Sequence, residues 1–128
     1  MRIFLLLIIF STTIFSQTLL LEENFNYTVG SYLTDNGWVA FSGTNTNKIT
    51  IENGNLVFSN YPSSNIGQSV LVDNDGEDVY LSLNSSKSSG IVYFSFLMKV
   101  INATTAGLGD YFISLGSTNA GTLAGRLF

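Results

Sequence analysis

The chain contains no cysteine and no histidine, a single proline, and charged side chains at only 11 % of its 128 positions. Each scarcity removes a class of chemistry. Without cysteine there is no disulfide framework and no thiolate ligand or nucleophile. Without histidine the commonest general base and the commonest zinc ligand are gone, and the many serines have no imidazole to activate them. No Gly-x-Ser-x-Gly elbow occurs either. The five basic residues form no run or patch against nine acidic ones, so nucleic acid and anionic membrane surfaces lack an electrostatic pull. Helix signals are also scarce: beyond the first residues no stretch sustains an apolar i, i+3, i+4, i+7 pattern with caps.

The N-terminus carries the one long apolar run. Arg2 supplies a positive start, Ile3 to Phe10 is unbroken apolar sequence, and residues 11–16 taper into small polar residues ending at Ser16. This layout predicts a cleavable signal-peptide helix over residues 1–16. The run is about half the ~20 residues a spanning helix needs, so no membrane span is expected after cleavage. The absence of cysteine excludes lipid attachment behind the signal. Export then leaves a domain over residues 17–128 with Lys48, Lys87, Lys99 and Arg126 against nine carboxylates, a net charge of −5.

Asn, Ser, Thr and Gly fill most polar positions, and the aromatics are mainly Phe and Tyr. Strands and turns consume these residues. Short strands are expected over 19–25, 38–42, 48–51, 56–59, 69–72, 79–83, 91–101, 111–115 and 124–128. Asn53-Gly54-Asn55 predicts a tight hairpin joining Ile49–Glu52 to Asn55–Phe58. Ile91 to Ile101 is apolar on both faces, which predicts a central strand covered twice. The pattern as a whole predicts an all-β, antiparallel sandwich or barrel. Ala124 to Phe128 reads as a strand that opens without a following turn. An unpaired apolar edge invites aggregation, so completion by sequence beyond Phe128 is expected, with a short closing strand of a complete small sandwich as the alternative.

Several segments together carry a family resemblance. Leu21-Glu22-Glu23-Asn24-Phe25-Asn26-Tyr27-Thr28-Val29-Gly30 is followed by Leu33-Thr34-Asp35-Asn36-Gly37-Trp38 and Gly43-Thr44-Asn45. Later come Tyr61-Pro62-Ser63-Ser64, Gly76-Glu77-Asp78-Val79 and Gly109-Asp110-Tyr111-Phe112. As a set, over about residues 20–128, they resemble the N-terminal half of concanavalin A-like (laminin G-like) jelly-roll modules. Such modules occur in large exported proteins of Bacteroidetes and Ignavibacteria type, often with a type IX secretion sorting domain. The resemblance implies an antiparallel jelly-roll β-sandwich, incomplete at the C-terminus, and a secreted or cell-surface setting.

Two groups of residues are candidate sites. Asp73, Asp75, Glu77 and Asp78, with Asn74 between them, put oxygen donors on one tight loop, as calcium requires. The loop is not an EF-hand: counted from Asp73, position 6 is Asp78 rather than Gly and position 12 is Asn84 rather than Glu. A solvated turn, its Asp and Asn side chains bonding their own backbone, uses the same residues. The second group would bind polysaccharide or surface glycans. Trp38 and Tyr61, with Tyr32 and Phe41, offer flat stacking faces, and Asp35, Asn36 and Asn65 offer hydrogen bonds to hydroxyls. The spacing of Trp38 and Phe41 equally suits core positions. A glycosidase needs two carboxylates facing across a groove. The Glu-x-Asp-x-x-Glu arrangement of glucanases with this fold is missing, and Glu22 and Glu23, adjacent on a strand, would point to opposite faces. The sequons at Asn26, Asn84 and Asn102 are within what such a composition produces by chance.

The leading expectation is an exported, non-catalytic β-sandwich module that binds carbohydrate or mediates cell-surface adhesion. The alternatives are a structural spacer of a larger surface protein, or a fragment of a glucanase-like glycoside hydrolase whose carboxylates lie elsewhere.

Overall fold

The computed structural model describes residues 17–62, 64–102, 111–117 and 120–128. The expected signal peptide, and the Ser63 and Gly109-Asp110 parts of the resemblance, lie outside the described residues. The described residues are strand-rich with almost no helix. Six short strands are present among them: β1 (Val39–Ser42), β2 (Ile51–Glu52), β3 (Ser69–Val70), β4 (Asp78–Tyr80), β5 (Ile113–Gly116) and β6 (Leu123–Leu127). They pair antiparallel as three separate two-stranded sheets, β1–β4, β2–β3 and β5–β6. Two continuous facing sheets, the layout expected of a jelly roll, are not what these strands form.

Among the described residues the fully buried centre lies around β2. Ile51 is 0 % and Leu33 2 % exposed. Ile51 pairs with Val70 of β3 on one side. On the other side its N–H donates to Ser31 O (2.9 Å) and its carbonyl accepts from Gly30 N–H (2.9 Å). Leu33 N–H donates to Ile49 O (3.0 Å), and Tyr32 bridges Thr50. Residues 30–33 thus flank β2 and bring Leu33 to Ile51. The chain then turns through a short 3-10 helix, Leu33–Asn36. Asp35 Oδ2 accepts from Tyr32 N–H (3.1 Å), and Gly37 ends the turn at φ 90° with its N–H directed to Leu33 O. A positive φ of this kind suits glycine at a helix C-terminus. The ammonium of Lys48 sits 4.4 Å from the Tyr32 ring centroid, a cation–π contact against this centre.

β1 pairs with β4 in the register Val39↔Tyr80, Ala40↔Val79 and Ser42↔Asp78, with a bulge at Phe41. In β5–β6 the bulge falls at Gly125, which takes φ 59°. Five expected strands are present with ends shifted by a few residues: those at 38–42, 69–72, 79–83, 111–115 and 124–128.

Other expectations are corrected. Residues 48–51 contribute to the ladder only at Ile51, the last of them, and the strand continues to Glu52. The hairpin about Asn53-Gly54 does not form. Gly54 turns the chain at φ 97°, but its N–H donates to the Gln68 side chain (2.7 Å), and β2 takes β3 as its partner. Residues 56–59 therefore have no ladder. Residues 19–25 form none either; they dock instead, with Gln68 N–H donating to Asn24 O (3.1 Å) and Asn84 N–H to Leu20 O (3.0 Å). Residues 91–101 carry no strand, and Leu97 alone among them is half-buried. Ile91 is 80 % and Tyr93 77 % exposed. Two-sided apolar patterning records which faces favour burial; it does not supply the elements that would cover them.

Candidate binding groove at Tyr61

The docked N-terminal segment forms one wall of a groove of about 390 Å³. Leu19 and Leu21 through Phe25 line that wall, Tyr61, Ile66 and Gln68 through Val70 line the floor, and Ser95 to Leu97 close the other side. Gly67 makes the docking possible: a Cβ there would lie 1.7 Å from Asn24 O. Tyr61 is held in place by a 3.0 Å hydrogen bond between its hydroxyl and Ser95 Oγ. Phe96, next to Ser95, lies tilted against Phe94 (5.2 Å between centroids) and meets Phe112 edge-on at 6.1 Å. A second groove of about 420 Å³, between Asn55–Phe58 and Leu97–Lys99, shares Leu56 and Leu97 with the first.

Glu23 organises the wall. Its Oε1 accepts from Phe25 N–H (2.6 Å), and its Oε2 accepts from the Tyr27 hydroxyl (2.7 Å) and from Trp38 Nε1 (3.4 Å). The first bond holds Phe25 at φ 51°, and the Phe25 ring stacks on Trp38 with centroids 6.1 Å apart and 24° between planes. Left-handed backbone costs a non-glycine residue roughly 1–2 kcal/mol, which these contacts offset. Glu22 is exposed and accepts from Asn24 Nδ2 (3.1 Å). Both glutamates border the groove, contrary to their expected placement on opposite faces, because residues 19–25 form no ladder to impose strict alternation. With three donors on it, Glu23 is a structural carboxylate.

The network leaves a measurable mark on Tyr27. Burial, then the hydrogen bond to Glu23 and that carboxylate's negative charge, push its pKa from 10 up to about 12; the nearby Trp38 opposes this. The folded chain therefore holds the phenol proton over a range in which the unfolded chain loses it. Stability from this residue is complete below pH ~10 and declines as pH rises toward about 12. In a phenolate absorbance titration one tyrosine is expected to ionise near pH 12, and Tyr27→Phe is expected to remove that late step. A titration without a delayed tyrosine would disprove this account of the wall.

The five expected glycan-contacting residues do not share one site. Tyr61 lines the groove. Asn65 stands beside it in a left-handed turn (φ 64°), its N–H donating to Leu56 O (3.2 Å). Trp38 is half-buried behind the wall, against the lining residues Glu23 and Phe25, and does not itself line the groove. Asp35 caps the 3-10 helix, and Asn36 Nδ2 donates to Ser31 Oγ (2.9 Å) and Tyr32 O (2.8 Å). Phe41 lies against Tyr80, rings 6.1 Å apart, away from the groove. Sequence reasoning missed Gln68, Asn24 and Ser95 as lining residues. Ser95 has a legible signal: it is the one small polar residue in the apolar run from Ile91 to Met98.

The acidic loop is differently arranged from the expected four-carboxylate set. Asp73 Oδ1 accepts from the adjacent Asn74 N–H (2.7 Å), and Asp78 begins β4 with an exposed side chain. Asp75 Oδ1 accepts from Asn47 Nδ2, while Glu77 is buried, its Oε2 accepting from Asn45 N–H (3.2 Å). Among the described residues no three His, Cys, Asp or Glu side chains converge as a metal cluster. No helix among them is long and apolar enough to cross a membrane.

Compared with known protein families, curated proteins and solved structures, the chain matches none.

Proposed function

We propose that the chain is an exported, non-catalytic module that binds polysaccharide or surface glycans in the Tyr61 groove, within a β-sandwich of the jelly-roll kind. The observation that carries this reading is the Tyr61–Ser95 hydrogen bond, which fixes an aromatic ring in a groove that combines apolar side chains with the amides of Asn24 and Gln68, the hydroxyls of Ser69 and Ser95 and the carboxylates of Glu22 and Glu23. Sugars present apolar C–H faces together with hydroxyl edges, and such a mixed lining matches both. Export rests on the composition of residues 1–16, and the non-catalytic reading on the missing histidine and the occupied Glu23 carboxylate.

A stacking ring contributes roughly 1–2 kcal/mol, so Tyr61→Ala is expected to weaken polysaccharide binding about 5- to 30-fold, and Tyr61→Phe by less. Affinity electrophoresis against a panel of neutral and acidic polysaccharides measures this. The reading fails if the wild-type chain is retarded by none of them, or if Tyr61→Ala is retarded equally.

A second reading has its own observation. The exposed apolar surface of residues 91–101 favours a structural or adhesive segment that buries this face within a larger surface protein. In that case the polysaccharide panel returns nothing.

A further inference from the structure

We infer that the junction between residues 43–47 and 73–78 is a calcium site, bound by the carboxylates of Glu77 and Asp75 with backbone carbonyls of the two loops. It is separate from the Tyr61 groove and does not depend on the glycan reading.

Glu77 is 4 % exposed, and while its Oε2 accepts from Asn45 N–H, its Oε1 is buried with no hydrogen-bond partner among the described residues. A carboxylate taken from water and left unpaired costs several kcal/mol, so native structures resolve it with a cation or further donors. Lys48, which directly follows the 43–47 loop, is directed to the Tyr32 ring instead.

The two loop backbones also approach closely beside Glu77. A Cβ on Gly43 would stand 2.2 Å from Gly76 O. One on Gly76 would stand 2.8 Å from Asn47 O and 3.2 Å from Thr46 O. Both glycines take positive φ, 57° and 132°. The two loops are therefore in close backbone contact beside Glu77, with the carbonyls of Thr46, Asn47 and Gly76 at that contact. Carbonyl oxygens near a buried carboxylate are donors that a cation can use. The bond from Asn47 Nδ2 to Asp75 Oδ1 joins the loops and brings a second carboxylate to the junction.

The donors are all oxygen, which selects a hard cation. Calcium accepts irregular sets of carboxylates, carbonyls and water; magnesium demands near-ideal octahedral geometry. Asp73 and Asp78 are left outside, so the ligand charge is low. That places the affinity near the weak end for calcium, a Kd on the order of 10⁻⁴–10⁻³ M.

The test is calcium titration of the chelator-treated chain by calorimetry, paired with thermal melts. Binding in that Kd range and a Tm rise of roughly 5–15 °C at 10 mM calcium are expected. Asp75→Asn is expected to weaken binding, and Glu77→Gln to abolish it. No heat of binding and an unmoved wild-type Tm overturn the site, and so does Glu77→Gln retaining calcium binding. An equal response to magnesium overturns the choice of calcium. Should Glu77→Gln fail to fold, the wild-type titration and Asp75→Asn decide the question.

Discussion

Ile51→Ala is expected to be the most damaging single truncation in the chain. Ile51 and Leu33 are the only fully buried apolar side chains among the described residues, and Ile51 is backed on both sides by hydrogen-bonded backbone. Removing its three outer carbons forfeits their transfer free energy and leaves a cavity that the surrounding ladder resists closing. Such changes cost roughly 2–5 kcal/mol. Domains of this size are typically stable by only ~5–15 kcal/mol, so the loss is a large share of the whole. Chemical denaturation is expected to show a lower midpoint with an unchanged slope. Ile51→Val, which removes one methyl, is expected to cost about 0.5–1.5 kcal/mol. Val57→Ala, at a site 69 % exposed, serves as the control and is expected to change stability by less than about 0.5 kcal/mol. A loss below about 1 kcal/mol for Ile51→Ala would show that the centre of stability lies elsewhere.

Gly67→Ala is expected to damage stability and the groove together. The residue takes φ 66°, where an L side chain is strained. Its Cβ would also stand 1.7 Å from Asn24 O and 2.8 Å from Asn24 C, both backbone atoms that no rotamer change can move aside. Strain of about 1–2 kcal/mol and overpacking of about 1–3 kcal/mol combine to a loss of roughly 2–5 kcal/mol. The atoms that must retreat belong to the segment carrying Glu22, Glu23 and Phe25, and the bond from Gln68 N–H to Asn24 O stretches with them. Under the proposed function, glycan retardation should therefore fall even in the folded fraction. Gly30→Ala separates the two causes, since Gly30 has φ 84° with nothing within 4 Å of a Cβ. It is expected to show the strain alone and to leave the groove intact. Equal losses at the two glycines, measured by denaturant midpoint, would mean that the contact with Asn24 is dispensable.

The acidic loop shows how far local sequence reaches. Its density of oxygen donors is visible in Asp73 to Asp78, and so is its turn character. Which carboxylate is buried is not visible, because Glu77 is held by Asn45, 32 positions earlier. The aromatics behave alike. Trp38 has the spacing of a core residue and is indeed half-buried, yet its partners Phe25 and Glu23 come from a segment whose docking depends on Gly67. Tyr61 is legible as a loop aromatic; its anchoring to Ser95 across 34 positions is not.

The sequence by itself determined the strand-rich character, the positions of most turns, and the chemistry available: oxygen donors and aromatic faces, with no thiol or imidazole. These follow from residue-local physics, namely steric limits on φ, side-chain periodicity and functional-group inventory. The tertiary structure alone decided the pairings. Asn53-Gly54 satisfies every local condition for a hairpin, and β2 nevertheless pairs with β3, where Val70 meets Ile51 in the ladder and Gln68 receives the turn's free N–H. Residues 91–101 satisfy every local condition for a central strand, and no described segment pairs with them. A ladder needs a second backbone, and which backbone arrives is set by burial summed over the whole chain, a quantity that no short window contains.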